Sequence, residues 1–147
     1  MQSAHATLNQ MLVTLFNDIL RIEESTLSVP GLSIREVHVI EAVCEASEPR
    51  MTVLARQLHV TPGSLSVAVT TLQRKGYLLR EQGREDKRVI YIRPTEKALK
   101  IQDKHKAFHQ EMVEAVMGLI SDQELTILLK ALDSVDRYFT QKELEHS

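Results

Sequence analysis

The stretch from Thr61 to Gly76 carries both a helix start and a helix stop, and it limits what the segments on either side can be. Thr61 is a good N-cap, and Pro62 suits the first helical position, where its missing N–H costs nothing. Gly76 suits the left-handed residue that closes a helix. This punctuation predicts a helix from Pro62 to about Lys75. Upstream, Thr52 can cap a short helix carrying Val53, Leu54, Ala55 and Leu58, with His59-Val60 as the turn between the two. Downstream, Tyr77 to Arg80 and Val89 to Ile92 are short β-prone runs. A charged, Gly-containing tip, Gln82 to Arg88, joins them as a hairpin.

Two short helices, a tight turn and a hairpin follow one another in the order of a winged helix-turn-helix. The rest of the chain is helical by its periodicity. Leu8, Met11, Leu12, Leu15, Phe16, Ile19 and Ile22 recur at three- and four-residue steps, up to the breaker Val29-Pro30-Gly31. Ser33 with Glu36 makes a capping box, flanked by Leu32 and Val37 as a staple, and opens a helix with Val37, Ile40, Ala42, Val43 and Cys44 on its apolar side. A loop follows at Ser47-Glu48-Pro49. Thr95 caps a long helix to about Gly118, and Ser121 with Glu124 repeats the capping box before Leu125, Leu128, Leu129, Leu132, Val135, Tyr138 and Phe139. The expected fold is mainly α (α+β): six helices with a two-stranded β-wing. Helices over about 4–26, 95–118 and 121–142 surround a winged unit over about 33–93, all within one domain, 1–147.

At 147 residues the chain has the size of one compact domain, and 43% apolar with 26% charged residues is ordinary globular composition. A single cysteine, Cys44, excludes an internal disulfide framework and fits a reducing compartment. No apolar run approaches the ~20 residues of a membrane span, and the start Met1-Gln2-Ser3-Ala4-His5 has no signal-type pattern. A cytoplasmic protein with no membrane partner is expected.

Net charge is −2 overall but unevenly spread. From Arg74 to Arg93 there are seven basic residues against three acidic ones, a local balance of +4, and the remainder carries −6. A basic lobe on an acidic body is the footprint of a small DNA-contacting surface. On the helix after Thr61, the residues Leu65, Ala68, Val69 and Leu72 form the packing side. Gly63, Ser66, Val67, Thr70 and Arg74 share the opposite side, which has no acid between Thr61 and Gly76. That side suits a major groove about 12 Å wide. The tip residues Arg84, Lys87 and Arg88 suit a minor groove, with Asp86 placed to hold the Arg88 guanidinium. Thr61 and Ser64 at the helix start complete the candidate DNA-binding set.

Three stretches carry a family resemblance: Leu54-Ala55-Arg56-Gln57-Leu58-His59-Val60-Thr61; Leu72-Gln73-Arg74-Lys75-Gly76-Tyr77-Leu78; and Asp86-Lys87-Arg88 followed by Pro94-Thr95-Glu96-Lys97-Ala98. Together they resemble the MarR family of bacterial transcription regulators. Pro94 stands where that family usually has Leu, and the helix-turn-helix turn lacks Gly. The resemblance implies a sequence-specific repressor of double-stranded DNA, a homodimer through the first, fifth and sixth helices, and a pseudo-palindromic operator. Independently, the first and last helices hold more Leu, Ile and Phe than a small winged unit can bury, the mark of an interface.

Leu15-Phe16-Asn17-Asp18-Ile19-Leu20, Ser33 to His38 and His105 to Glu114 are similar to the branch that represses fatty-acid biosynthesis genes in Gram-positive bacteria. That likeness implies a long acyl chain on acyl carrier protein as corepressor. Phe16, Leu20, Val37, His38, Ile40, Phe108, His109 and Met112 are the candidate pocket residues, and Arg80, Arg84 and Arg93 offer the acidic carrier a docking surface. A second effector reading is zinc on His38, His105 and His109, since His105 and His109 stand at i, i+4, with Glu23 or Glu24 as a carboxylate. Lys104 and Lys106 oppose it. A phenolic ligand is a third. No cofactor is required, and acyl chain or zinc enters only as effector.

No Gly-rich phosphate loop, Gly-x-Ser-x-Gly elbow or His-Glu-x-x-His occurs, and Cys44 lies in an apolar helical pattern, so the sequence does not read as an enzyme. The alternative from another class is a winged-helix interaction protein that binds no DNA.

Overall fold

The computed structural model describes residues 3–146. The order is α1 (Ala4–Thr26), α2 (Ile34–Glu45), α3 (Met51–Gln57), α4 (Pro62–Arg74), β1 (Leu78–Gln82), β2 (Ile90–Pro94), α5 (Glu96–Met117) and α6 (Asp122–His146). The chain packs as two compact units, one ending at Phe108 and one beginning at His109, so the division falls within α5.

In the first unit the caps act as their residue types require. Ser33 Oγ accepts from the Glu36 N–H, and the Glu36 carboxylate accepts from the Ser33 N–H at 2.8 Å, closing the capping box of α2. Thr61 Oγ1 accepts from the Ser64 N–H at the start of α4, with Pro62 in the first turn. The two helices of the helix-turn-helix end alike. Gly76 takes φ +84° and the Tyr77 N–H returns to the Leu72 carbonyl. At the end of α3, His59 takes φ +54° and the Val60 N–H returns to the Ala55 carbonyl. The turn without glycine therefore adopts the same left-handed geometry through a histidine.

Several boundaries differ from the sequence expectation: α6 runs on to His146, and at the start of α3 and of both strands a backbone group is engaged elsewhere. Thr52 is not the cap of α3: the helix begins at Met51 with Arg50 as N-cap and no capping side chain. Pro49 and Arg50 are held against the hairpin, where the Ile92 N–H donates to the Pro49 carbonyl and Arg50 bridges Tyr91. What reads as a plain loop thus adds a short third pairing to the wing. The strands also start one residue later than expected. The Tyr77 N–H is committed to the end of α4, and the Val89 N–H to the Asp86 carbonyl in the tip. The antiparallel register runs from Leu78 opposite Pro94 to Gln82 opposite Ile90.

The core lies between α2, α3, α4 and the hairpin. Ile40, Leu54, Leu65, Leu72, Leu78 and Ile92 are fully buried there, and Ala98 of α5 joins them. Helix α1 has another character. Its one buried residue is Glu23, whereas Leu8, Met11, Leu15 and Phe16 are exposed, Phe16 at 64%. In the second unit the Ser121–Glu124 capping box opens α6. None of the described residues of α6 is buried, and Ile127, Leu129, Leu132, Tyr138 and Phe139 are exposed. No described helix is long and apolar enough to cross a membrane.

Candidate nucleic-acid interface and effector site

Helix α4 divides as its periodicity requires. Leu65, Val69 and Leu72 are buried on one side. Gly63, Val67, Thr70 and Arg74 are exposed on the other, Val67 at 69%, and Ser66 is half-buried. Thr61 and Ser64 form a local pair at the helix start, Thr61 Oγ1 donating to Ser64 Oγ at 2.9 Å. The Thr70 hydroxyl is not an open donor, because it donates to the Ser66 carbonyl at 2.9 Å.

One cation on this face was not signalled by the sequence. Arg80, from strand β1, lays its guanidinium along α4. Its Nη1 donates to Gln73 Oε1 at 2.9 Å. Its Nη2 donates to the Ser66 carbonyl and to Thr70 Oγ1, both at 3.1 Å. The spacing of Ser66, Thr70 and Gln73 marks a helix stripe, but nothing local says that a strand residue lands on it.

The wing tip is shaped by Gly83. A Cβ there would meet the Asp86 carbonyl oxygen at 2.6 Å, so a side chain would force the tip open. Asp86 accepts from the Arg88 N–H at 3.0 Å and from its guanidinium at 3.2 Å. These bonds from the Arg88 side chain and backbone hold the Asp86 carboxyl below its ordinary range. Arg84, Lys87 and Arg74 are exposed and have no ion-pair partner among the described residues. Of the residues expected to dock an acidic carrier, Arg80 is engaged by α4 and Arg93 pairs with Glu81 at 3.1 Å. Only Arg84 stands open. Lys75 leaves the basic lobe altogether: its Nζ donates to Glu36 at 2.7 Å, tying the end of α4 to the start of α2.

Within the first unit, two of the expected histidines share one carboxylate. His38 Nε2 and His105 Nε2 meet Glu23 Oε1 at 3.0 and 2.6 Å, and Glu41 Oε1 lies 3.0 Å from His105 Nδ1. Glu41 went unnoticed in the sequence, although it follows His38 by three positions on α2. Burial pushes the Glu23 carboxyl up, and the hydrogen bonds and charges of His38 and His105 outweigh it, leaving a net lowering. Glu24 lines a cleft instead of joining this cluster. His109 is the first residue of the second unit.

The expected acyl-chain walls are divided in the same way. Ile40 is 0% exposed inside the winged-helix core and is not a wall: its i+3 spacing from Val37 placed it on the right helix, but the core claims its side chain. Val37 is buried at the edge of a cleft of about 380 Å³, with Leu27, Leu32 and Ile34 beside it. Leu20 is half-buried, Phe108 is buried, and Phe16 is exposed. Met112 is half-buried in the second unit. Cys44 is half-buried and its thiol is pushed up, chiefly by burial, which disfavours the thiolate.

Residues 32–90 match the MarR family model. The chain is 28% identical to Streptococcus pneumoniae FabT, solved in complex with DNA, with a TM-score of 0.88 over 93% of this chain and 98% of that one. It is 29% identical to the Bacillus subtilis HTH-type transcriptional regulator YkoM over 68% of this chain and 67% of the relative. It also shares its fold with the zinc-responsive MarR family member ZitR of Lactococcus lactis, at 20% identity and a TM-score of 0.64 over 90% of this chain and 99% of that one. The winged unit with its acid-free helix face thus matches the MarR family over residues 32–90, and beyond that stretch the chain is similar to an HTH-type transcriptional regulator and to a protein solved in complex with DNA.

Proposed function

We propose that the protein represses transcription as a two-fold homodimer whose winged units occupy successive major grooves of a pseudo-palindromic operator. The observation that carries this reading is the outer face of α4, which is small, free of acids and flanked by Arg74, Arg80 and the basic wing tip. The exposed apolar sides of α1 and α6, each taken in its own unit, support a second copy as their cover. The regulated genes are those of fatty-acid biosynthesis, and the effector is a long acyl chain on acyl carrier protein, raising operator affinity. Support comes from the sequence resemblance at 15–20, 33–38 and 105–114 and from the cleft beside Val37, Leu27, Leu32 and Ile34.

The test is a gel-shift titration on promoter DNA of fatty-acid biosynthesis genes against a shuffled duplex of equal composition. Tighter binding to the promoter is expected, and tighter still with carrier bearing a long chain, because each buried CH₂ is worth about 0.8 kcal/mol. Equal binding to both duplexes overturns the operator reading. Equal promoter binding with long-chain, short-chain and unloaded carrier overturns the acyl reading alone.

A second effector reading, zinc, has its own observation. His38, Glu41 and His105 offer ligand atoms within 4.8 Å of one another, and imidazole with carboxylate is a donor set that zinc accepts. These residues fit the ion, which would replace the hydrogen bonds they now make and lock α2 to α5 within the first unit. Calorimetry at neutral pH is expected to show zinc uptake that His105→Ala abolishes. No heat of binding by the intact protein overturns it.

A further inference from the structure

We propose that Arg80 is a specificity-determining residue that reads a guanine in each half-site, and that α4 holds its guanidinium in position for that contact. Three observations carry this. The guanidinium does not sit at the wing tip, where phosphates are met. It lies along Ser66, Thr70 and Gln73 of α4, the helix whose outer face also carries the exposed Val67. A group fixed there reaches base-edge depth when the helix is in place.

The second observation is charge. Arg88 and Arg93 are each paired with a carboxylate, Asp86 and Glu81. Arg80 is held by neutral acceptors alone: an amide oxygen, a backbone carbonyl and two hydroxyls. Its orientation is restrained and its full positive charge stays available to the nucleic acid. The third is donor capacity. A guanidinium has five N–H groups, and these contacts leave the Nε–H and part of Nη1 without an acceptor among the described residues, on a side chain that remains exposed. Guanine is the base whose major-groove edge carries acceptors alone, N7 and O6, so a single free N–H of such a group finds an acceptor at either.

The Thr70 hydroxyl gains a defined task from this. By donating to the Ser66 carbonyl it turns its lone pairs toward Arg80. It acts as a positioning group for the arginine, with no base contact of its own required.

The inference rests on duplex binding by the winged unit, and the experiment separates the two. Full-length wild type, Arg80→Lys, Arg80→Ala and Arg84→Ala are each used to select sites from a randomised duplex library, and each variant's melting temperature is measured. Wild type and Arg84→Ala are expected to enrich the same guanine in both half-sites. Arg80→Lys, which keeps the charge but loses the planar fork, is expected to lose that guanine, as is Arg80→Ala. Replacing that guanine by 7-deazaguanine is expected to weaken wild-type binding about tenfold and to leave Arg80→Lys unchanged. A wild type that enriches no sequence overturns operator recognition itself. An enriched motif that Arg80→Lys shares in full, with an equal response to 7-deazaguanine, overturns the role of Arg80 while leaving operator recognition intact. Should Arg80→Ala fail to fold, the Arg80→Lys selection and the modified base decide.

Discussion

His105 Nε2 donates to Glu23 Oε1 across 2.6 Å, and His38 Nε2 meets the same oxygen at 3.0 Å. Glu23 is 3% exposed, the most enclosed residue of α1, and its carboxylate ties that helix to α2 and α5 within the first unit. Removing one member of a buried, hydrogen-bonded polar cluster leaves the others without compensation. Glu23→Ala is therefore expected to lower stability by about 2–4 kcal/mol. Urea unfolding at neutral pH measures it, and a loss under about 1 kcal/mol would mean that packing alone holds the imidazoles.

The Lys75–Glu36 pair makes stability depend on pH in a defined direction. Burial raises the Glu36 carboxyl, but bonds from Lys75 and from Ser33 bring it below its ordinary value. A carboxylate whose folded pKa is depressed contributes stability above its unfolded pKa and loses it as pH falls through the folded value. Glu36→Gln is expected to cost about 1–2 kcal/mol at neutral pH and to flatten the acid limb of the stability curve. A variant with the wild-type acid limb would show that other carboxylates govern it.

The wing tip should act through phosphates. Arg84→Ala and Arg88→Ala are expected to weaken binding alike on every duplex, and each lost phosphate contact should reduce the salt slope by about 1. Anisotropy titrations at several salt concentrations provide the check. An unchanged slope in the double variant would remove the tip from the DNA contact. Asp86→Ala should fall in the same direction but by less, since it frees Arg88 without removing its charge.

Exposed apolar positions separate a partner contact from a structural one. Leu132 of α6 and Phe16 of α1 are exposed in the single chain, so an aspartate at either should leave a monomer stable. Covered by a second copy, the same aspartate is an unpaired charge in an apolar setting and costs several kcal/mol. Leu132→Asp and Phe16→Asp are expected to shift the sedimentation mass from dimer to monomer and to weaken operator binding. A Leu132→Asp protein that still sediments as the dimer would place α6 outside the interface.

Sequence alone determined the parts of this protein whose causes are local. The bounds of α4 follow from Thr61, Pro62 and Gly76, and the start of α2 from Ser33 and Glu36, because a cap acts on N–H and carbonyl groups within about one helical turn. Asp86 and Arg88 meet because they are two positions apart in a tip. The two sides of α4 follow from its helical period alone. Tertiary structure decided everything that depends on which distant group arrives first. Ile40 and Val37 share a helical pattern, yet the core takes one completely and leaves the other at a cleft edge. Thr52 lost its capping role to a pairing between Pro49 and Ile92. Arg80 reaches Ser66 across 14 positions, and His105 reaches Glu23 across 82. No local signal encodes such pairs, because they form only once burial of the apolar core has closed the intervening chain and brought their backbones into range.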